Sequence, residues 1–188
     1  MTALKTEGGL AGKQKLTGHW PVEQGITVAK GGNAALLHRL LKLTNRLMAP
    51  FSTHLAHRYK ISLNEFRMLM TIGALERTAS HELADVTGVN VMSVSRAVAT
   101  LEGHGRIRVT RDPDNRRRKW LELTDEGQRL YEAMLPQSQK VADYLLSDLS
   151  KSEIATLERL VDTLIATLEA EDEEGNSLFL ERTRPEGG

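Results

Sequence analysis

Apolar residues recur along this chain in steps of three and four, interrupted in one place by a two-residue alternation. From Asn33, a capping residue, Leu36, Leu40, Leu43, Leu47 and Phe51 fall at helical spacing. Leu37, Leu41, Met48 and Leu55 run beside them as a second stripe. Two stripes predict burial on more than one side, as for a helix packed on its own domain and on a partner subunit. Pro50 should bend or interrupt it. Ser62-Leu63-Asn64-Glu65 is a capping box that opens a second helix, with Phe66, Leu69, Met70 and Leu75 inward. A short helix follows at about 79–86 and Gly88 ends it. Asn90 caps the next, which runs to about 103 with Val94, Val98 and Leu101 inward and stops at Gly103 and Gly105.

The alternation comes next. Ile107-Arg108-Val109-Thr110 and Trp120-Leu121-Glu122-Leu123 each alternate apolar and polar, and Asp112-Pro113-Asp114-Asn115 between them is turn chemistry. Together they predict a β-hairpin with a basic tip. Thr124 then caps a long helix to about 149, with Pro136 as its expected kink. Ser150-Lys151-Ser152-Glu153 is a further capping box. After it Leu157, Leu160, Val161, Leu164, Ile165 and Leu168 form a one-sided apolar face. The expected fold is mainly α with a small β-hairpin wing: a winged helix-turn-helix plus a helical dimerisation region.

Composition narrows the class. The 188 residues hold 25 basic and 25 acidic side chains, so a surface coated uniformly with positive charge is excluded, while a local basic site is not. Cysteine is absent, which excludes disulfides, thiolate metal sites and thiol redox switches. No apolar run approaches the ~20 residues that span a bilayer. With no apolar signal segment at the start, a cytoplasmic protein is expected. Residues 1–32 hold 7 of the 15 glycines and read as a flexible extension around Trp20-Pro21-Val22. Residues 171–188 read as a weakly ordered acidic tail around Leu178-Phe179-Leu180. The domain between spans 33–170. Within it, the window 96–119 carries 8 basic residues against 3 acidic ones.

Two short helices around Thr87-Gly88-Val89 resemble a helix-turn-helix, and the second feeds directly into the hairpin. Val91, Met92, Ser93, Ser95 and Arg96 occupy the start of that second helix, away from Val94 and Val98. Small and polar side chains there let the backbone approach DNA. Ser93 and Ser95 can donate to phosphates or base edges, and Arg96 can pair with phosphate or guanine. The plain alternative for this helix alone is a solvated polar face. The run Arg116, Arg117, Arg118 and Lys119 sits on the projecting hairpin, where at most two of the four share a face. A guanidinium suits a narrow, negatively charged minor groove.

The ordered series Glu82-Leu83-Ala84, Gly88-Val89, Ser93-Val94-Ser95-Arg96, Leu101-Glu102, Gly105, Asp112 to Arg118 and Leu123-Thr124-Asp125-Glu126-Gly127 resembles the MarR (multiple antibiotic resistance regulator) family of bacterial transcription factors. The resemblance covers about 33–170 and implies that 33–60 and 124–170 are dimerisation helices and 61–123 a winged-helix DNA-binding lobe. It implies an obligate homodimer whose first and last helices interlock, a pseudo-palindromic double-stranded operator, and a small effector, often an aromatic or phenolic acid. The effector would favour a spacing of recognition helices that does not fit DNA. The family's wing usually carries Asp-x-Arg. Asn115 stands at the Asp position and Arg117 at the Arg position, and Asn cannot ion-pair, so Asp114 is the candidate substitute. Arg117 is the first choice for the minor groove and Arg116 the second. Arg118 and Lys119 are left for general attraction.

Leu36, His38, Arg39 and Arg67 are the candidates for an effector site, the arginines to meet a carboxylate. His54 and His57 sit three apart, but no carboxylate lies beside them to complete a metal site, so no metal and no cofactor is expected. No nucleophile elbow, phosphate loop or His-Glu-x-x-His marks an enzyme. Met68 and Met70 read as core, and Met92 as facing DNA. The competing reading is a winged-helix architectural or protein-interaction module without ligand sensing.

Overall fold

The structure, a computed structural model, describes residues 32–112 and 118–185. The chain divides into two units at Leu47/Met48. The first contains one described helix, α1 (Asn33–Leu47), with no buried residue along it. Leu36, Leu37, Leu41 and Leu43 are all exposed. Among the described residues these leucines find no cover within this unit, whereas Phe51 and Leu55, which end the two stripes, are buried in the second.

The second unit opens on a π-helical turn at Phe51–Leu55, directly after Pro50, then α2 (Ala56–Tyr59). The proline interrupts the helix as its missing N–H requires. Lys60 ends α2 in the left-handed region, with φ 47°. Ser62 then caps α3 (Leu63–Leu75) with the reciprocal Ser62–Glu65 bonds of a capping box. The strand β1 (Arg77–Ala79) follows and was not expected from the sequence. Three residues are too few for alternation to register. Helices α4 (Ser80–Thr87) and α5 (Val91–Gly103) lead to β2 (Ile107–Arg111) and β3 (Lys119–Leu123). The three strands pair antiparallel in the order β1-β3-β2, with Ala79 opposite Trp120 and Thr110 opposite Trp120 on its other side.

The core lies between α3, α5 and the sheet. Met68, Leu69, Ile72, Leu83, Leu101 and Leu121 have no exposed surface. Phe51 and Phe66 meet at 4.8 Å between ring centroids. Arg106 closes one end: its Nη2 donates to the Tyr59 carbonyl at 2.8 Å and its Nη1 to the Lys60 carbonyl at 3.2 Å, beside Glu65. One cation of the basic window is thus spent on internal packing.

Helix α6 (Asp125–Leu146) starts where Thr124 Oγ1 accepts from the Gly127 N–H at 3.1 Å and donates to the Gly105 carbonyl at 2.6 Å. Gly127 passes so close to the Arg106 carbonyl that a Cβ would stand 1.8 Å from that oxygen. This is the physical content of Leu-Thr-x-x-Gly: a cap and a close approach. Leu130 and Met134 carry the first half of α6 into the core, whereas Leu135, Tyr144 and Leu145 are exposed. Helix α7 (Lys151–Glu169) has no buried residue. Beyond it Asp172 accepts from the Glu174 and Asn176 N–H groups, and α8 (Leu178–Arg182) follows, where little order was expected.

Candidate nucleic-acid interface

Helices α4 and α5 are held together from inside by Leu83, Val89, Val94, Ala97, Val98 and Leu101, all buried. Gly88 makes the turn with φ 63°, a conformation that costs glycine little. Asn90 caps α5, its Oδ1 accepting from the Ser93 N–H at 2.9 Å. The inward set is therefore fixed, and with it the outward set. Val91 and Met92 are 66% and 69% exposed, which leaves them available to a partner. Ser95 and Arg96 are exposed beside them, and Ser93 is half-buried. Arg96 Nε donates to the Met92 carbonyl at 3.4 Å, which holds the guanidinium along the outer face. The first turn of α5 holds no acid, so its unpaired N–H groups offer a positive helix end.

The hairpin stands next in the chain. Arg111 faces Lys119 at the loop end of the two strands and both are exposed. The Asp112 N–H donates to the Arg118 carbonyl at 3.0 Å. Arg116, Arg117, Asp114 and Asn115, the proposed minor-groove tip and its support, lie outside the described residues, as does Trp20-Pro21-Val22.

Arg118 has a partner that the charge run did not reveal. Its Nη2 donates to Glu82 Oε1 at 2.7 Å, and its guanidinium carbon lies 4.0 Å from the centre of the Trp120 ring. The other Glu82 oxygen accepts from the Ala79 N–H and from Thr78 Oγ1, both at 2.8 Å. These two bonds, then the charge and hydrogen bond of Arg118, hold the Glu82 carboxyl below its ordinary pKa against the opposing effect of burial. Arg77 lies 4.5 Å from the Trp120 ring, and Glu122 accepts from Arg108 at 2.9 Å. Sequence reasoning missed Glu82 and Trp120 as parts of this site. The usable signal was spacing: positions 118, 120 and 122 share one face of a strand.

The effector candidates fall in different units. Leu36, His38 and Arg39 are exposed on α1. Arg67 is half-buried on α3, and its Nη2 reaches Met48 Sδ at 3.7 Å. A recess of about 330 Å³ is lined by Ile72, Gly73, Glu76, Leu123 and Gln128, none of them an effector candidate. Among the described residues no group of three or more histidines and carboxylates is placed to hold a metal ion. No helix among them is long and apolar enough to cross a membrane.

Comparison with known proteins agrees with this geometry. Residues 61–119, from the start of α3 to the wing, match the model of the MarR family. The uncharacterized HTH-type transcriptional regulator YwaE of Bacillus subtilis (strain 168) is 26% identical over 135 residues, covering 68% of this chain and 77% of its own. A shorter match, 35% identical over 81 residues, is to the phenylalanine–tRNA ligase alpha subunit of Metallosphaera sedula. The chain spans 17% of that protein's length. Among solved structures, a MarR/EmrR family transcriptional regulator from Acinetobacter sp. ADP1 superposes with a TM-score of 0.64 at 25% identity. That match covers 69% of this chain and 92% of the other. BpsR of Bordetella bronchiseptica, described for regulation of its DNA binding by 6-hydroxynicotinic acid, shares the fold with a TM-score of 0.61. It is 20% identical, over 69% of this chain and 98% of its own.

Proposed function

Residues 61–119 are a MarR-family winged-helix domain of DNA-binding transcriptional regulators, and from that premise we propose that this chain is a cytoplasmic homodimeric repressor, released from a pseudo-palindromic operator by a small aromatic acid. The observation that carries the reading is the outer face of α5. Val91, Met92, Ser95 and Arg96 are exposed on a helix whose opposite face is fully committed to the core. A major groove admits such a helix. Its thymine methyls suit Val91 and Met92, while Ser93, Ser95 and Arg96 suit phosphates and base edges. Arg116 and Arg117 are assigned to the minor groove and Lys119 to general attraction.

Two observations support the finer claims. The apolar faces of α1 and α7 are uncovered, and a second copy is the partner that two-fold pairing supplies. Such a dimer presents two α5 helices roughly 34–36 Å apart. Arg67 is half-buried beside a thioether, a weak acceptor, and has no carboxylate partner among the described residues. A guanidinium in that setting suits an acidic effector, and BpsR sets the precedent of a hydroxylated aromatic acid.

Fluorescence anisotropy tests the reading. A duplex from the region upstream of the coding sequence should bind more tightly than its scrambled counterpart, and one member of a panel of aromatic carboxylates and phenols should release it. Equal, steeply salt-dependent binding to both duplexes, unmoved by every compound, would indicate backbone contact alone and favour an architectural role.

A further inference from the structure

Arg118 lies in a run of four cations on a DNA-facing hairpin, yet its geometry is that of a committed side chain. Nη2 is 2.7 Å from Glu82 Oε1. Nε is buried without a hydrogen-bond partner. The guanidinium carbon lies over the Trp120 ring, 4.0 Å from its centre. A phosphate that took Nη2 would have to displace the ion pair. We propose that Glu82, Arg118 and Trp120 form a clamp that sets the wing against α4, and that Arg118 is a positioning residue for DNA binding rather than a DNA contact. The proposal rests on the DNA-binding reading above.

The placement of the three groups supports it. Glu82 is the third residue of α4, and its second oxygen is anchored to the Ala79 N–H and to the fully buried Thr78. Arg118 is the residue at which the returning arm of the hairpin enters β3. The ion pair therefore bridges 36 residues, from the first helix of the helix-turn-helix to the loop end of β3. Trp120 is anchored independently, because it pairs with Ala79 of β1 and with Thr110 of β2. Arg77 adds a second cation at 4.5 Å from the same ring. The pair is about one-third exposed on each side, so its effect on overall stability is small. Its value is directional: it fixes the angle at which a two-stranded arm leaves the lobe.

The two possible roles of Arg118 give opposite signs when Glu82 is neutralised. If Arg118 is a clamp, Glu82→Gln misplaces the wing and weakens binding, although it removes a negative charge from a DNA-binding lobe. If Arg118 moves to a phosphate, Glu82→Gln frees it and binding is unchanged or tighter. The experiment measures the full-length protein and its Glu82→Gln, Arg118→Ala and doubly substituted variants on a duplex selected by the wild type from a random-sequence pool. Melting temperatures are recorded for each. Amide exchange is followed across 107–111 and 119–123. The clamp predicts that each single substitution weakens binding on the order of fivefold, and that the double is no weaker than either single. Hairpin exchange should quicken in all three variants while melting temperatures stay close to wild type. The clamp is overturned if Glu82→Gln binds as well as wild type while Arg118→Ala loses affinity and about one unit of salt slope. Should the wild type select no duplex, the DNA-binding reading fails instead. The exchange arm still decides the clamp, because unchanged hairpin protection in Glu82→Gln would remove it.

Discussion

Helices α3 and α7 carry the same kind of apolar repeat and reach opposite ends of the exposure scale. On α3, Met68, Leu69 and Ile72 have no exposed surface at all. On α7, Leu157, Leu160, Val161, Leu164, Ile165 and Leu168 remain 40–52% exposed. The sequence pattern does not separate them. What separates them is the supply of cover: α3 meets α5, α6 and the sheet, whereas α7 has no buried residue. Periodicity states that a face is made to be covered and is silent about whether the cover is the same chain. Complete burial of a leucine-sized side chain stabilises by roughly 1.5–3 kcal/mol, so six half-exposed ones hold ample driving force for association. The lobe buries its own apolar face, while that of α7 stays half-exposed, the face proposed above to meet a second copy.

Substitutions on the two sides sharpen this contrast. Leu164→Asp places a carboxylate in the face proposed to meet a second copy. The account expects a loss of about 4 kcal/mol in dimer stability, seen as monomer in sedimentation, with the lobe still folded by circular dichroism. If that variant unfolds the whole lobe, the division between the two regions is wrong. Gly127→Ala works on the other side. Its methyl would collide with the Arg106 carbonyl, and a cost of about 3 kcal/mol in urea denaturation is expected.

Smaller effects follow. Glu82 has a lowered pKa in the folded chain, so its ionised form contributes stability above the ordinary carboxylate range and loses it as pH falls through the folded pKa. Glu82→Gln should therefore melt slightly earlier than wild type at neutral pH, by about 0.5 kcal/mol for a screened pair, and the gap should close in acid. A gap that widens in acid would reverse the sign and the explanation. Smallest is Lys60→Gly. It relieves a left-handed backbone at φ 47° against the extra freedom of glycine in the unfolded chain, for a net gain of about 0.5 kcal/mol in thermal melting.

Much of the fold was legible because caps and breakers act locally. Ser62, Asn90, Thr124 and Ser150 each accept the N–H bond that their residue type predicts, and Pro50 and Gly88 break the chain where expected. The strand at Arg77–Ala79 was not legible, since its strand character comes from pairing with residues more than forty positions away. The exposure of the outer face of α5 was legible for the same reason as the core: fixing Val94 and Val98 inward fixes Ser95 and Arg96 outward. The roles of the cations were not. Arg106, Arg108 and Arg118 look alike in a charge count, yet the first closes the core, the second pairs with Glu122 and the third with Glu82. Charge is read from sequence, but commitment of a charge is a matter of distance.

The most direct test of the central claim is the number of chains per operator. Analytical ultracentrifugation of a labelled single operator with increasing protein gives that number from the mass of the bound species. The account predicts that one operator gains two chains together, about twice 20.9 kDa, with no species carrying one. A tight complex with a single chain, or binding no stronger than to scrambled DNA, would contradict it.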